Sequence, residues 1–285
     1  MMYAIRRRSF CMTMLSSCAV PNLARAQTAA TLEIGVLPNI SARVLLAQYQ
    51  PMREYLARAL NKAVQVSTAP SWTAFHQRTL ALEYDVVVTA PNLARLAQLD
   101  RGFAPLLTYA PTIKGMVICA NAKPIKTPAE LRGQTLALSN PQSLITLRGM
   151  QWLAENGLQR GRDFKIVNTA ADDSVGNVVV RGDAIAAMLS GGEYRAIPDA
   201  VKSQLQVVTT FAEVSGFVVM ASPKLSALES RAIKEHLQSF AAGSEEGKAF
   251  FASSGFSSIR EPAAGLMESM DPYVEATRAV TATPG

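Results

Sequence analysis

The amino-acid sequence predicts an α/β fold whose sheets are mostly parallel and doubly wound, and three observations carry that prediction. Residues 32–60, LEIGVLPNISARVLLAQYQPMREYLARAL, read as a strand, a Pro-containing turn and a long amphipathic helix. Residues 84–89, YDVVVT, form a near-continuous β-branched run of the kind buried on both faces of a parallel sheet. Strand and helix signals then keep alternating, which gathers the loops at the carboxyl ends of the strands.

In the opening unit Leu32, Ile34 and Val36 are apolar on alternate positions around Gly35, and Pro38-Asn39-Ile40-Ser41 stops the strand. Val44, Leu45, Tyr49, Met52, Leu56 and Leu60 recur at three- and four-residue spacing, so one helix face can lie on a sheet while Gln48, Arg53 and Arg58 stay in water. A strand that feeds a helix points free N–H groups at the turn, so Asn39 and Ser41 sit where an open sheet holds a ligand. A second unit follows, with a strand at 63–66, a polar turn at 67–71 and a helix at 72–82 that begins with Trp72. After YDVVVT come a turn at Ala90-Pro91-Asn92, a helix at 93–99 and a strand at 103–108. Three turns converge: 38–41, 69–72 and 89–92.

The pattern restarts after an apolar strand at 116–120 that contains Cys119 and a turn-rich stretch at 121–127. Thr127-Pro128-Ala129-Glu130-Leu131 has a cap, a proline at the first helical position and an acid three residues past the cap. Strands are expected at 134–139, 164–168, 184–188, 205–210 and 217–221. Helices are expected at 144–156, from Asp172-Asp173-Ser174 through Val180, and at 226–242, 245–252 and 264–280.

Residues 1–26 read as an export signal. Arg6-Arg7-Arg8-Ser9-Phe10 is a basic start, residues 11–20 are a moderately apolar core, and Ala24-Arg25-Ala26 is a small-x-small cleavage site that would leave Gln27 first. The Arg7-Arg8-x-Phe10 pattern and the weak core point to the twin-arginine route. Leu15-Ser16-Ser17-Cys18 is an alternative lipoprotein box with Cys18 as the lipidated residue. The signal carries four arginines and no acid, so 28 basic residues against 22 acidic become 24 against 22, and the net charge falls from +6 to +2. The basic balance is therefore mostly a targeting feature and argues against a nucleic-acid partner. With cleavage at Ala26 only Cys119 of the three cysteines remains, which excludes an intrachain disulfide. His76 and His236 lack zinc spacing, so neither metal nor cofactor is expected. No stretch of the mature chain approaches ~20 uninterrupted apolar residues, and a soluble periplasmic protein is expected. About 259 residues suffice for one large domain or two lobes.

The succession GVLPN, a helix with YQPMREYL, YDVVVTAP and then TPAELRGQTLALSNPQS resembles the phosphonate-type solute-binding proteins of ABC importers, over residues 32–240. That resemblance implies a two-lobe periplasmic binding protein fold joined by two hinge strands. Residues 29–115 and 216–285 would form one lobe and 116–215 the other, with crossings at 115–120 and 217–221. It also implies that hydroxyls and free N–H groups opening the second-lobe helix hold an oxyanion; here these are Ser143 and Thr146 in Asn140-Pro141-Gln142-Ser143-Leu144-Ile145-Thr146. Trp72 matches the aromatic that opens the second helix of the first lobe. The chain departs from the family at two places: Asn92 follows Ala90-Pro91 where a tyrosine is usual, and Asp172-Asp173 stand where His-Asp is common. Two carboxylates would repel a desolvated dianion unless Arg43, Lys114 or Arg148 reaches in. The expected ligand-binding set is Asn39, Ser41, Trp72, Thr89, Asn92, Ser143, Thr146, Asp172 and Asp173.

No GxSxG elbow, HExxH helix, Walker loop or Cys-His pattern is present, so binding rather than catalysis is expected. The expected function is a monomeric periplasmic protein that captures a small oxyanion between its lobes for an ABC permease in the inner membrane. A sensor docking on a histidine kinase and an enzyme on the same fold stay open, because hinge closure serves all three.

Overall fold

The computed structural model describes residues 31–169 and 174–282. The expected export signal with Cys11, Cys18 and the Ala26 site, and the pair Asp172 and Asp173, lie outside the described residues.

The chain begins with β1 (Leu32–Val36), α1 (Ala42–Ala59), β2 (Val64–Ser67), α2 (Trp72–Leu80), β3 (Val86–Thr89), α3 (Pro91–Arg101) and β4 (Ala104–Ala110). It crosses into β5 (Ile113–Ala120), a 3-10 turn at Pro128–Leu131, β6 (Thr135–Leu138), α4 (Leu144–Glu155), β7 (Lys165–Asn168) and α5 (Ser174–Val180). Then come β8 (Ala186–Ser190), α6 (Gly191–Ala196), α7 (Asp199–Lys202) and β9 (Leu205–Val214). It returns through β10 (Val218–Ala221), α8 (Ala227–Ala241), α9 (Glu245–Ser254), β11 (Ser258–Arg260), a 3-10 segment at Glu268–Tyr273 and α10 (Val274–Ala282).

Two sheets result, a six-stranded one ordered β11-β4-β10-β3-β1-β2 and a five-stranded one ordered β7-β6-β8-β5-β9. Most strands in each run the same way, and the exceptions, β10 and β11 in the first sheet and β5 in the second, lie antiparallel to their neighbours. The β-branched run at 84–89 behaves as a strand buried on both faces must. Val86 and Val88 pack with Leu45, Met52, Leu56, Phe240 and Phe250 on one face, while Val87 packs with Phe75, Leu93 and Phe103 on the other. The second sheet alternates likewise, Val117, Cys119, Leu136 and Leu138 facing Leu153 and Met116, Ile118 and Ala137 facing Val175 and Val179. Cys119 is fully buried, a small apolar core residue. No helix among the described residues is long and apolar enough to cross a membrane.

The passages between the sheets lie earlier than the sequence suggested. Residues 115–120 and 218–221 are interior strand, because β5 already pairs with β9 from Ile113 opposite Val214 onward and β10 pairs with β3 from Val218 opposite Thr89. The chain changes sheets at 111–112 and 215–217. The two passages touch: the Tyr109 N–H donates to the Phe217 carbonyl at 2.8 Å, and the Thr108 hydroxyl donates to the same carbonyl at 3.1 Å. The single helix expected over 264–280 is also divided. Gly265 has φ 75°, Pro272 interrupts the segment and removes an N–H donor, and α-helix begins only at Val274.

A methyl group on Gly216 would lie 2.3 Å from the Tyr109 carbonyl oxygen, backbone against backbone, so neither side can yield. Gly216→Ala is expected to destabilise the protein by about 1–3 kcal/mol in urea unfolding, by forcing the two passages apart.

Candidate functional site

A cleft of about 1300 Å³ lies between the two sheets. One wall is the turn after β1, the start of α2 and the end of α9; the other is the turn before α4 and the β8–α6 turn; the two inter-sheet passages form the floor. Three helix beginnings therefore open into it, because parallel strands deliver their loops to one end of each sheet.

Each wall is folded by short polar side chains. On α2, Ser71 is the N-cap and its Oγ accepts from the Ala74 N–H at 3.1 Å. That leaves the Trp72 and Thr73 amides without helical acceptors, and both residues line the cleft. The Trp72 indole N–H donates to the Pro38 carbonyl at 3.1 Å, which ties α2 to the β1 turn and leaves the ring as wall. On α4, Ser143 accepts from the Thr146 N–H at 3.1 Å, and the Thr146 hydroxyl donates to the Asn140 carbonyl at 2.7 Å. The Leu144 and Ile145 amides are left to the cleft they line. At β8–α6, Ser190 and Glu193 form a capping box around Gly191 and Gly192.

Among the described residues four charged ones line the cleft: Lys114, Glu193, Arg195 and Glu213. Both acids hold protein donors, Glu193 through the Ser190 N–H and the Ser139 hydroxyl and Glu213 through the Thr112 hydroxyl. Among the described residues neither Lys114 Nζ nor the Arg195 guanidinium forms an ion pair, so both cations are available to an anion. Arg195 reaches across the cleft, since a Cβ on Gly255 would lie 2.8 Å from its Nη2.

One residue joins the walls directly. Gln142, 7% exposed, donates through Nε2 to the Thr73 hydroxyl at 2.7 Å and to the Val280 carbonyl of α10 at 3.0 Å. Its own carbonyl accepts from Asn92 Nδ2 at 3.2 Å, and Asn92 also reaches the Thr277 hydroxyl at 3.2 Å. The Asn140 side chain accepts the Gln142 N–H at 2.8 Å and so fixes the turn that presents it. Nearby, the Tyr273 hydroxyl donates to Gln151 of α4 at 3.1 Å.

Of the residues expected from sequence, Asn39, Trp72 and Ser143 line the cleft together. Ser41 stands exposed at the N-cap position of α1 without a side-chain capping bond and is not a lining residue. Thr89, Asn92 and Thr146 are buried behind the walls, with Thr89 Oγ1 and Asn92 Oδ1 lacking a protein partner among the described residues. Of the three cations named as candidates, Lys114 lines the cleft; Arg43 is exposed on α1, and Arg148 donates to Gln151 along α4. Sequence reasoning missed Arg195. The available signal was the Ser190-x-x-Glu193 capping box after an apolar strand, which marks a helix start at a strand's carboxyl end. Among the described residues no cluster of His, Cys, Asp or Glu could hold a metal ion.

The family model of the periplasmic substrate-binding protein of ABC phosphonate transporters matches residues 34–264. Solved structures share the fold. XAC2383 from Xanthomonas citri, bound to chloride, is 18% identical over 88% of this chain and 99% of its own, with a TM-score of 0.76. PhnD1 from Prochlorococcus marinus, in complex with methylphosphonate, is 13% identical over 89% of this chain and 99% of its own, with a TM-score of 0.75. A binding-protein component of an ABC phosphonate transporter from Pseudomonas aeruginosa is 15% identical over 89% of each chain, with a TM-score of 0.73.

Gln142→Ala removes two buried inter-wall bonds while keeping the backbone one. It is expected to cost about 1–3 kcal/mol in chemical denaturation and to increase the radius of gyration of the ligand-free protein in solution scattering. A second prediction concerns α2. Burial, together with the Arg278 charge and against that of Asp100, lowers the His76 pKa to about 4 from 6.5. The folded state therefore resists the proton that the unfolded chain accepts. Stability should be full above about pH 6.5 and decline as pH falls toward 4, by on the order of 3 kcal/mol at most. Thermal melting of His76→Gln across that range should show a shallower decline.

Proposed function

Because the chain belongs to the family of periplasmic substrate-binding proteins of ABC phosphonate transporters, we propose that its cleft captures a solute carrying a phosphonate-like oxyanion and presents it to an inner-membrane permease. The observation that carries this reading is the pair of cations Lys114 and Arg195, which form no ion pair among the described residues, in a cleft onto which the starts of α2 and α4 also open. The anion is held by these two side chains and by the first-turn amides of Trp72, Thr73, Leu144 and Ile145, whose N–H groups carry the positive end of the helix dipole. The protein binds its solute without chemical change and acts as a monomer, freed by cleavage after Ala26.

The lobes of this reading follow the two sheets, residues 31–112 with 215–282 and residues 113–214, which moves the boundaries expected at 115 and 216 and puts Lys114 on the second lobe; the hinge lies where the Tyr109 N–H meets the Phe217 carbonyl. Closure brings Arg195 and the 140–143 turn toward the first lobe. A ligand shifts the open and closed populations only by its differential affinity for them, about 5.5 kcal/mol for a near-complete switch. Contacts made to both lobes at once supply that difference, since the open form offers only one set.

Thermal melting of the signal-free protein in millimolar methylphosphonate, phosphate, phosphite, sulfonates and arsenite tests the reading. One oxyanion class should raise the melting temperature, by about 2–4 °C for each kcal/mol of linked binding energy, and Lys114→Ala with Arg195→Ala should abolish the rise. A flat response to every anion would refute it.

A further inference from the structure

We infer that the captured solute is an organic acid with one oxyanionic head and an extended apolar body of aromatic size, the head on the second lobe and the body against the first. This rests on the capture reading above and adds what the anion is attached to. All four charged residues of the cleft, Lys114, Glu193, Arg195 and Glu213, lie on β5, α6 and β9 of the second sheet. Among the described residues the first-lobe lining contains no charged side chain, and its apolar part is Ile40, Val44, Tyr49, Trp72, Phe217 and Phe256.

Tyr49 belongs to the core, and Ile40, Trp72, Phe217 and Phe256 pack against core residues with one side while remaining only partly buried where they line the cleft. Val44 is 45% exposed and points its surface into the cleft rather than into a core. The Trp72 N–H is already satisfied by the Pro38 carbonyl, so what the residue offers a ligand is its ring. Phe217 and Phe256 lie with ring centroids 5.6 Å apart at 56°, a tilted aromatic pair that lines the same cleft as Trp72. A small anion at the cations would leave this surface against water, and apolar area gains only when it leaves water.

Size and charge agree. Pockets for drug-sized ligands run to about 300–1,000 Å³, and the cleft, at about 1300 Å³, is of that order and far larger than a single oxyanion. Glu193 accepts from Ser139 and Ser190 and Glu213 from Thr112, and among the described residues no cation lines the first-lobe wall to hold a second anionic group.

Calorimetric titration of the signal-free protein with methyl-, butyl- and phenylphosphonate, the matching sulfonates and inorganic phosphate tests the inference. Affinity should rise about three- to fourfold per added methylene, and phenylphosphonate or phenylsulfonate should bind on the order of 30-fold or more tightly than the methyl compound. Trp72→Ala and Phe256→Ala should each narrow the phenyl-to-methyl ratio, while Arg195→Ala should weaken both ligands by a common factor and preserve it. Equal affinity for phosphate, methyl and phenyl compounds would overturn the inference and leave the capture reading standing. Absence of binding by every member would overturn both.

Discussion

The turn at 140–143 has to satisfy its own backbone, cap a helix and hold two lobes together, and it must do all three with short polar side chains. Asn140 accepts the Gln142 amide, Ser143 accepts the Thr146 amide, and Gln142 spends both its side-chain donors on the opposite wall. Little polar capacity is left over. The hydroxyls that a reader of the sequence would assign to a ligand are largely consumed by the turn itself, and what faces the cleft is unpaired backbone N–H. A buried donor or acceptor without a partner costs about 1–3 kcal/mol, so this division of labour is enforced rather than incidental.

With the helix starts committed in this way, full charge must come from elsewhere. It comes from the floor and from α6, where Lys114 and Arg195 form no ion pair among the described residues while the neighbouring acids are held by serine and threonine donors. Gly255 keeps the path of Arg195 clear and, at φ 73°, also ends α9 in a left-handed conformation that glycine favours. The first lobe supplies shape and apolar surface, the second supplies charge, and the join between them decides when the two act together.

Much of this was legible in the chain. The run YDVVVT announced a strand buried on both faces, and Val86, Val87 and Val88 divide between two cores as that required. The turns at 38–41, 69–72 and 140–143 were placed at strand carboxyl ends, and Asn39, Trp72 and Ser143 do meet. What escaped has physical causes. Helix α6 has six residues, too few for periodicity to register, and β11 has three. The break in the last helix turns on Pro272, whose lost donor outweighs an otherwise helical pattern. Asn92 stood out because it replaces a family tyrosine, yet its role is a contact with Gln142 fifty positions away that no local pattern encodes.

Two-sided grip is the core of the account, and amide hydrogen exchange measures it most directly. For an oxyanion that binds the signal-free chain, the account predicts slowed exchange at Trp72 and Thr73 and at Leu144 and Ile145 together, one pair on each lobe. Slowing confined to one pair, or to neither while the ligand is bound, would contradict it.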